Sequence, residues 1–169
     1  MQETFALLDV SRIVTHETVR HRIAGFSQES LRFVRLTELK AYFPQVFQTP
    51  YLSRVAHHLE VKGRLEADSA YKDLPGLEEA LRAKFVEVFS YLEGVQKELA
   101  AVLELDKLDS FSDKKKLTSA MRRLAPMGLA TGIIMSANLR TWRHVIEQRT
   151  SRHAEEEIRL AFGLVYDVS

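Results

Sequence analysis

The chain has 169 residues, 46% of them hydrophobic and 28% charged, a balance that belongs to folded globular proteins and excludes a disordered or fibrous chain. Its formal net charge of +1 gives no global field that would gather nucleic acid or an anionic membrane, so any charged ligand must be recognised by local clusters. The absence of cysteine excludes disulfides, thiolate metal sites and every mechanism built on a cysteine nucleophile.

A chain of this length is expected to form one domain over residues 1–169. The opening MQETFALLDV has neither the basic start nor the long apolar run of a secretory signal, and MGLATGIIM is too short to span a bilayer. A cytoplasmic protein with no membrane or nucleic-acid partner is therefore expected.

Along the chain, TFALLDV (4–10) reads as a short strand, and SRIVTHETV after it reads as a short helix opened by Ser11. RHRIAGFSQES (20–30) is too polar and too rich in Gly and Ser for a core element, and is expected as a strand end passing into a loop. TELKAYFPQVFQTPYL carries Pro44 and Pro50, which bias their predecessors away from helix, and is expected as an irregular connection. His57 and His58, just beyond it, read as polar residues on a helix surface.

The clearest periodicity follows in LEEALRAKFVEVFSYLEGVQKELAAVLEL. There Leu77, Leu81, Phe85, Val88, Phe89, Leu92, Val95, Leu99 and Val102 recur at steps of three and four, which predicts a long amphipathic helix opened by DLPG. SDKKKLTSAMRRL predicts another helix, stopped by Pro126. MGLATGIIMSA fits a buried strand or a buried helix, and periodicity does not choose between them. NLRTWRHVIEQR and HAEEEIRLAFGLV predict two more helices separated by TS.

The six histidines, His16, His21, His57, His58, His144 and His153, form no recognised ligand spacing, and no metal is expected. The seven glycines form no phosphate-binding loop, and no acid is placed by the sequence to orient a Ser30–His21 nucleophile. What stands out is arginine: Arg20, Arg22 and Arg32 near the start, then Arg122, Arg140 and Arg149. Arginine forks bind phosphate in bidentate fashion, so a phosphorylated ligand fits. On the predicted helix from Asn138, Trp142, Val145, Ile146 and Arg149 share one face, so Arg149 extends an apolar stripe with a charge that needs a partner. That partner is either an acidic residue of the chain or a bound ligand, and spacing alone leaves both open.

RHRIAGFSQES carries Arg-His-Arg, seven residues and then Ser, and in this it resembles the signature of the flavin-dependent thymidylate synthases. SRIVTHETVRHR before it and LRF after it extend the resemblance, and NLRTWRHVIEQRTSRHAEEEIR resembles the family's C-terminal block. The resemblance covers nearly the whole chain, its middle matching only in helical character. It implies an α+β fold of long packed helices with a small mixed or antiparallel sheet. It also implies reductive methylation of a uridylate at carbon 5, dUMP to dTMP and also UMP, with FAD carrying hydride and methylenetetrahydrofolate and NADPH as co-substrates. This chemistry needs no cysteine nucleophile, in keeping with the composition. A homotetramer with sites between subunits is implied as well.

By position, the resemblance assigns Arg20, His21, Arg22, Asn138, Arg140 and His144 to the flavin. It assigns Glu17, Arg20, Gln28, Ser30, Arg32 and Arg122 to the nucleotide, with Ser30 as a phosphate ligand. Arg149 becomes the catalytic residue, paired with the pyrimidine and stabilising negative charge on the ring. Three departures accompany the match: Phe33 replaces a common Tyr, Gln148 replaces a Leu or Met, and, with the first strand expected almost at Met1, a member without the family's N-terminal segment is expected. Two other readings follow from these departures: a shortened member acting on UMP in nucleoside-antibiotic biosynthesis, or a non-catalytic relative that binds flavin or nucleotide.

Overall fold

The computed structural model describes residues 1–30 and 41–168. Its elements in chain order are β1 (Gln2–Ser11), α1 (Arg12–Thr18), β2 (Gly25–Gln28), α2 (Thr49–Val61), α3 (Leu74–Val102), α4 (Phe111–Met121), β3 (Ala130–Asn138), α5 (Leu139–Arg149) and α6 (Glu156–Val168), with four short 3-10 turns. This is the expected α+β architecture. No helix among the described residues is long and apolar enough to cross a membrane.

The chain divides into two compact units, Met1–Tyr42 with Phe89–Ser169, and Phe43–Val88. In the smaller unit, Thr49 donates to Glu78 Oε2 through its backbone nitrogen (2.6 Å) and its hydroxyl (2.8 Å). Phe43, Phe47 and Phe85 pack there as tilted and edge-to-face rings, and the Arg82 guanidinium lies 4.1 Å from the centre of the Phe43 ring.

The larger unit is built on an antiparallel sheet of order β1-β3-β2. The ambiguous MGLATGIIMSA run thus resolves as its central strand. Thr131, Ile133, Met135 and Ala137 alternate into the core. Ile134, on the opposite face, remains 42% exposed, and with Thr131 on the buried face these two residues break the apolar-polar alternation that would have revealed the strand. Between Leu7 and Val10 the β1 register shifts, and Asp9 adopts the left-handed region at φ 53°, which turns the strand end toward α1.

Ser11 ends β1 and caps α1, its hydroxyl accepting from the Ile13 backbone at 3.2 Å. Asn138 plays the same part where β3 passes into α5, accepting from the Thr141 backbone at 2.9 Å. Two strand-to-helix joints are therefore fixed by a single polar residue each. α5 and α6 then cover the sheet. Val145, Ile158 and Phe162 are fully enclosed, Trp142 stacks edge-on against Phe5 at 5.0 Å, and its indole nitrogen donates to the Glu3 carbonyl at 3.0 Å.

Two expectations need correction. Pro50 does not mark irregular chain: it sits in the first turn of α2, where its missing N–H costs nothing and its fixed φ suits a helix. The Arg-His-Arg run is not a strand end. Residues 19–24 form turns and bends after α1, and the strand begins only at Gly25, because a tight turn is needed to bring β2 back onto β3.

Replacing Phe162, which has no exposed surface, with Ala removes the side chain on which Trp142 and the α5–α6 contact rest. Its unfolding free energy in urea titration falls by about 3–5 kcal/mol.

Candidate active site

α1 and α5 place their C-terminal turns side by side, and this meeting makes the site. Arg149, the last residue of α5, donates from Nε to His21 Nε2 at 2.8 Å, from Nη1 to Glu17 Oε2 at 2.7 Å and from Nη2 to the Glu17 carbonyl at 2.9 Å. Three of its five N–H donors are engaged, leaving one on each terminal nitrogen. Its side chain is 16% exposed, so the guanidinium sits largely out of water, where its charge interactions are screened less. Arg149 has its acidic partner in Glu17, and it also lines a recess.

The contacts fix the charge states. Burial would raise the Glu17 carboxyl, but the hydrogen bonds and charges of Arg149 and Arg20 outweigh it and hold the group below its ordinary value. Burial, then the Arg149 and His144 charges, push His21 below its ordinary 6.5. Neutral His21 accepts at Nε2, which assigns its proton to Nδ1. Glu17 also receives Arg20 at 3.1 Å, an exposed pair that contributes little stability.

Two adjoining recesses surround this cluster. One, of about 820 Å³, is lined by Glu17, Arg20, His21, His144, Gln148 and Arg149, with Glu147, Ser151 and His153 at its edge. The second, of about 660 Å³, shares Arg20, His21, His144 and Gln148 and adds Arg22, Ile23, Arg140 and Val145. Seven residues singled out from the sequence, Glu17, Arg20, His21, Arg22, Arg140, His144 and Arg149, are thus gathered from two ends of the chain.

Others are not brought there. Gln28 donates to Thr15 Oγ1 at 2.9 Å, and Asn138 is occupied at its oxygen by the α5 cap. Ser30 is exposed just after Glu29, whose backbone nitrogen donates to the Gly132 carbonyl. Arg122 opens the 3-10 turn after α4. None of these four lines either recess. Arg32, like Phe33, lies outside the described residues.

Sequence reasoning left Arg12 unmentioned; burial and the nearby Arg122 charge lower its pKa, and it lines neither recess. Sequence reasoning also passed over Glu147 and His153 at the recess edge, although His153 stands inside the quoted C-terminal block. That membership was the available signal.

The folded His21 pKa lies below the unfolded one, so the unfolded chain binds more protons between the two values. The stability this site contributes is complete above pH 6.5 and is lost as pH falls through the lower folded value. Urea titrations from pH 7.5 down to 5 show a decline in stability that His21→Ala flattens.

Comparison with known proteins fits this geometry. The family model described as thymidylate synthase complementing protein matches residues 1–168. The flavin-dependent thymidylate synthase of Corynebacterium glutamicum is 31% identical over 157 residues, and that of Mycobacteroides abscessus 30% over 158; each match covers 92% of this chain and 52% of the relative. The chain therefore spans about half the length of these curated relatives. The crystal structure of the flavin-dependent thymidylate synthase ThyX of Helicobacter pylori, complexed with FAD and dUMP, shares the fold with a TM-score of 0.58 at 20% identity, covering 99% of this chain and 67% of that one. With residues 1–168 matched by the family model, the chain belongs to the thymidylate synthase complementing protein family.

Proposed function

We propose that this chain carries out flavin-dependent reductive methylation of a uridylate at carbon 5, with methylenetetrahydrofolate as the carbon source and NADPH as the reductant. The observation that carries the reading is Arg149: a guanidinium held by three hydrogen bonds to Glu17 and His21 that lines one of two adjoining basic recesses.

The lining of the second recess fits FAD. Arg20, Arg22 and Arg140 supply fixed positive charge for a diphosphate, His21 and His144 supply ring nitrogens, and Ile23 and Val145 supply apolar surface for a planar ring. Asn138, which the resemblance assigns to the same group, caps the helix that carries Arg140 and His144. Hydride transfer is the chemistry the flavin supplies when bound.

The chain's own residues do the rest in this reading. Glu17 stays ionised and anchors Arg149 as a fixed cation, while neutral His21 holds its Nε without adding a competing charge. Arg149 meets the pyrimidine and stabilises the negative charge that develops when carbon 5 becomes nucleophilic. A cation already oriented costs no reorganisation at that moment. Arg20, Gln28, Ser30, Arg32 and Arg122 hold the nucleotide, chiefly its phosphate. That Gln28, Ser30 and Arg122 line neither recess supports a homotetramer in which one chain's phosphate ligands complete another chain's site.

The protein, incubated with FAD, NADPH, methylenetetrahydrofolate and either dUMP or UMP, yields the 5-methyl nucleotide by mass spectrometry. Arg149→Lys keeps the charge but loses the fork, and lowers kcat by about 100- to 1,000-fold. Absence of product from both nucleotides with flavin bound would defeat the reading.

A further inference from the structure

The quoted C-terminal block contains a residue that the proposed function leaves unused. Glu157, the second residue of α6, is 5% exposed, a rare place for a carboxylate. It accepts from the Ser11 backbone nitrogen at 2.6 Å through Oε1 and from the Ser11 hydroxyl through Oε2. Burial raises its pKa above the ordinary value, the hydrogen bonds of Ser11 pull the other way, and Glu155 and Glu156 add to the rise. Tyr42, close enough to feel all three glutamates, is pushed up to about 12 by burial and by their charges.

Ser11 is itself 1% exposed and is the residue that caps α1. α1 is only seven residues long, with Val14, Thr15 and Thr18 buried and the Thr18 hydroxyl tied back to the Val14 carbonyl at 2.7 Å. So short and so internally bonded a helix moves as one piece. Its start is gripped by Glu157 of α6 and its end by Arg149 of α5, through the carbonyl and carboxylate of Glu17.

We propose that Glu157 is a positioning residue: by holding Ser11 it fixes α1, and through α1 it sets the place of Glu17 and His21 and hence the aim of the Arg149 fork. The inference rests on the proposed role of Arg149 for its effect on turnover, but its geometric part stands without it. A displacement of about 1 Å at a reacting group costs on the order of 100-fold in rate, so a buried contact two helices from the chemistry is sufficient to govern it. Glu157→Gln retains an oxygen for the Ser11 backbone nitrogen, and its amide NH2 meets the Ser11 hydroxyl. Glu157→Ala retains neither contact.

The test is 15N-histidine NMR of the whole chain, read at His21, together with kinetics. In the wild type and in Glu157→Gln, His21 is the Nδ1-protonated tautomer with an accepting Nε2 and titrates below 6.5. In Glu157→Ala its Nε2 signal loses the mark of the Arg149 hydrogen bond and its titration moves back toward 6.5, while kcat falls about 10- to 100-fold and KM for the nucleotide changes less. A folded Glu157→Ala protein with the His21 tautomer, titration and kcat of the wild type would overturn the proposal. Should that variant not fold, Ser11→Ala, which keeps the backbone donor, must show a smaller shift of the same sign; an unshifted His21 there overturns it equally. A wild type that makes no methylated nucleotide defeats the proposed function, and the NMR comparison still decides the role of Glu157.

Discussion

The grip of Arg149 on the end of α1 is the interaction from which the rest of the site takes its form. Its three hydrogen bonds join residues 128 and 132 positions apart in sequence, so they exist only when α5 is seated on the sheet through Trp142 and Val145 and α1 is seated through Val14 and Thr18. Once formed, they bias the charges around them: the Arg149 bonds help hold the Glu17 carboxyl below its ordinary value, burial and then the Arg149 charge lower His21, and the guanidinium is held with little freedom left to it. An unfixed arginine would lose rotamer entropy when it met a ligand, whereas this one has lost it on folding. Geometry here precedes binding.

The site is also divided. Glu17, Arg20, His21, Arg22, Arg140, His144 and Arg149 line contiguous recesses, while Gln28, Ser30 and Arg122 do not. Gln28 braces α1 from beneath through Thr15, and Arg122 stands near Arg12, two like charges for which an anionic group would be the natural complement. The proposed homotetramer would account for this division, because residues that one chain holds apart can meet across an interface.

Much of the fold was legible in the sequence because it follows local rules. The β1–α1 joint is announced by Ser11, and α3 by nine apolar residues at helical spacing that the 29-residue helix bears out. β3 was illegible because Thr131 on its buried face and Ile134 on its exposed face break the alternation, and Pro50 misled because a helix start and a helix break use the same residue. In the site, the Arg-His-Arg signature pointed to the right segment but not to its turn conformation. The partner of Arg149 was beyond reach, since any of 23 acidic residues satisfies a charge and only the tertiary fold selects Glu17. Glu157 was hidden in a run of three glutamates, of which the fold buries one.

The central claim is that Arg149, fixed by Glu17 and His21, activates carbon 5 of a uridylate. Methylation there must release the hydrogen that carbon 5 carried, so the most direct measurement is release of tritium to water from C5-tritiated dUMP and UMP in the presence of FAD, NADPH and methylenetetrahydrofolate. The account predicts release by the wild-type chain with at least one of the two nucleotides, and none above background by Arg149→Ala that still binds flavin. Equal release by Arg149→Ala and wild type, or none by the flavin-bound wild type with either nucleotide, would contradict it.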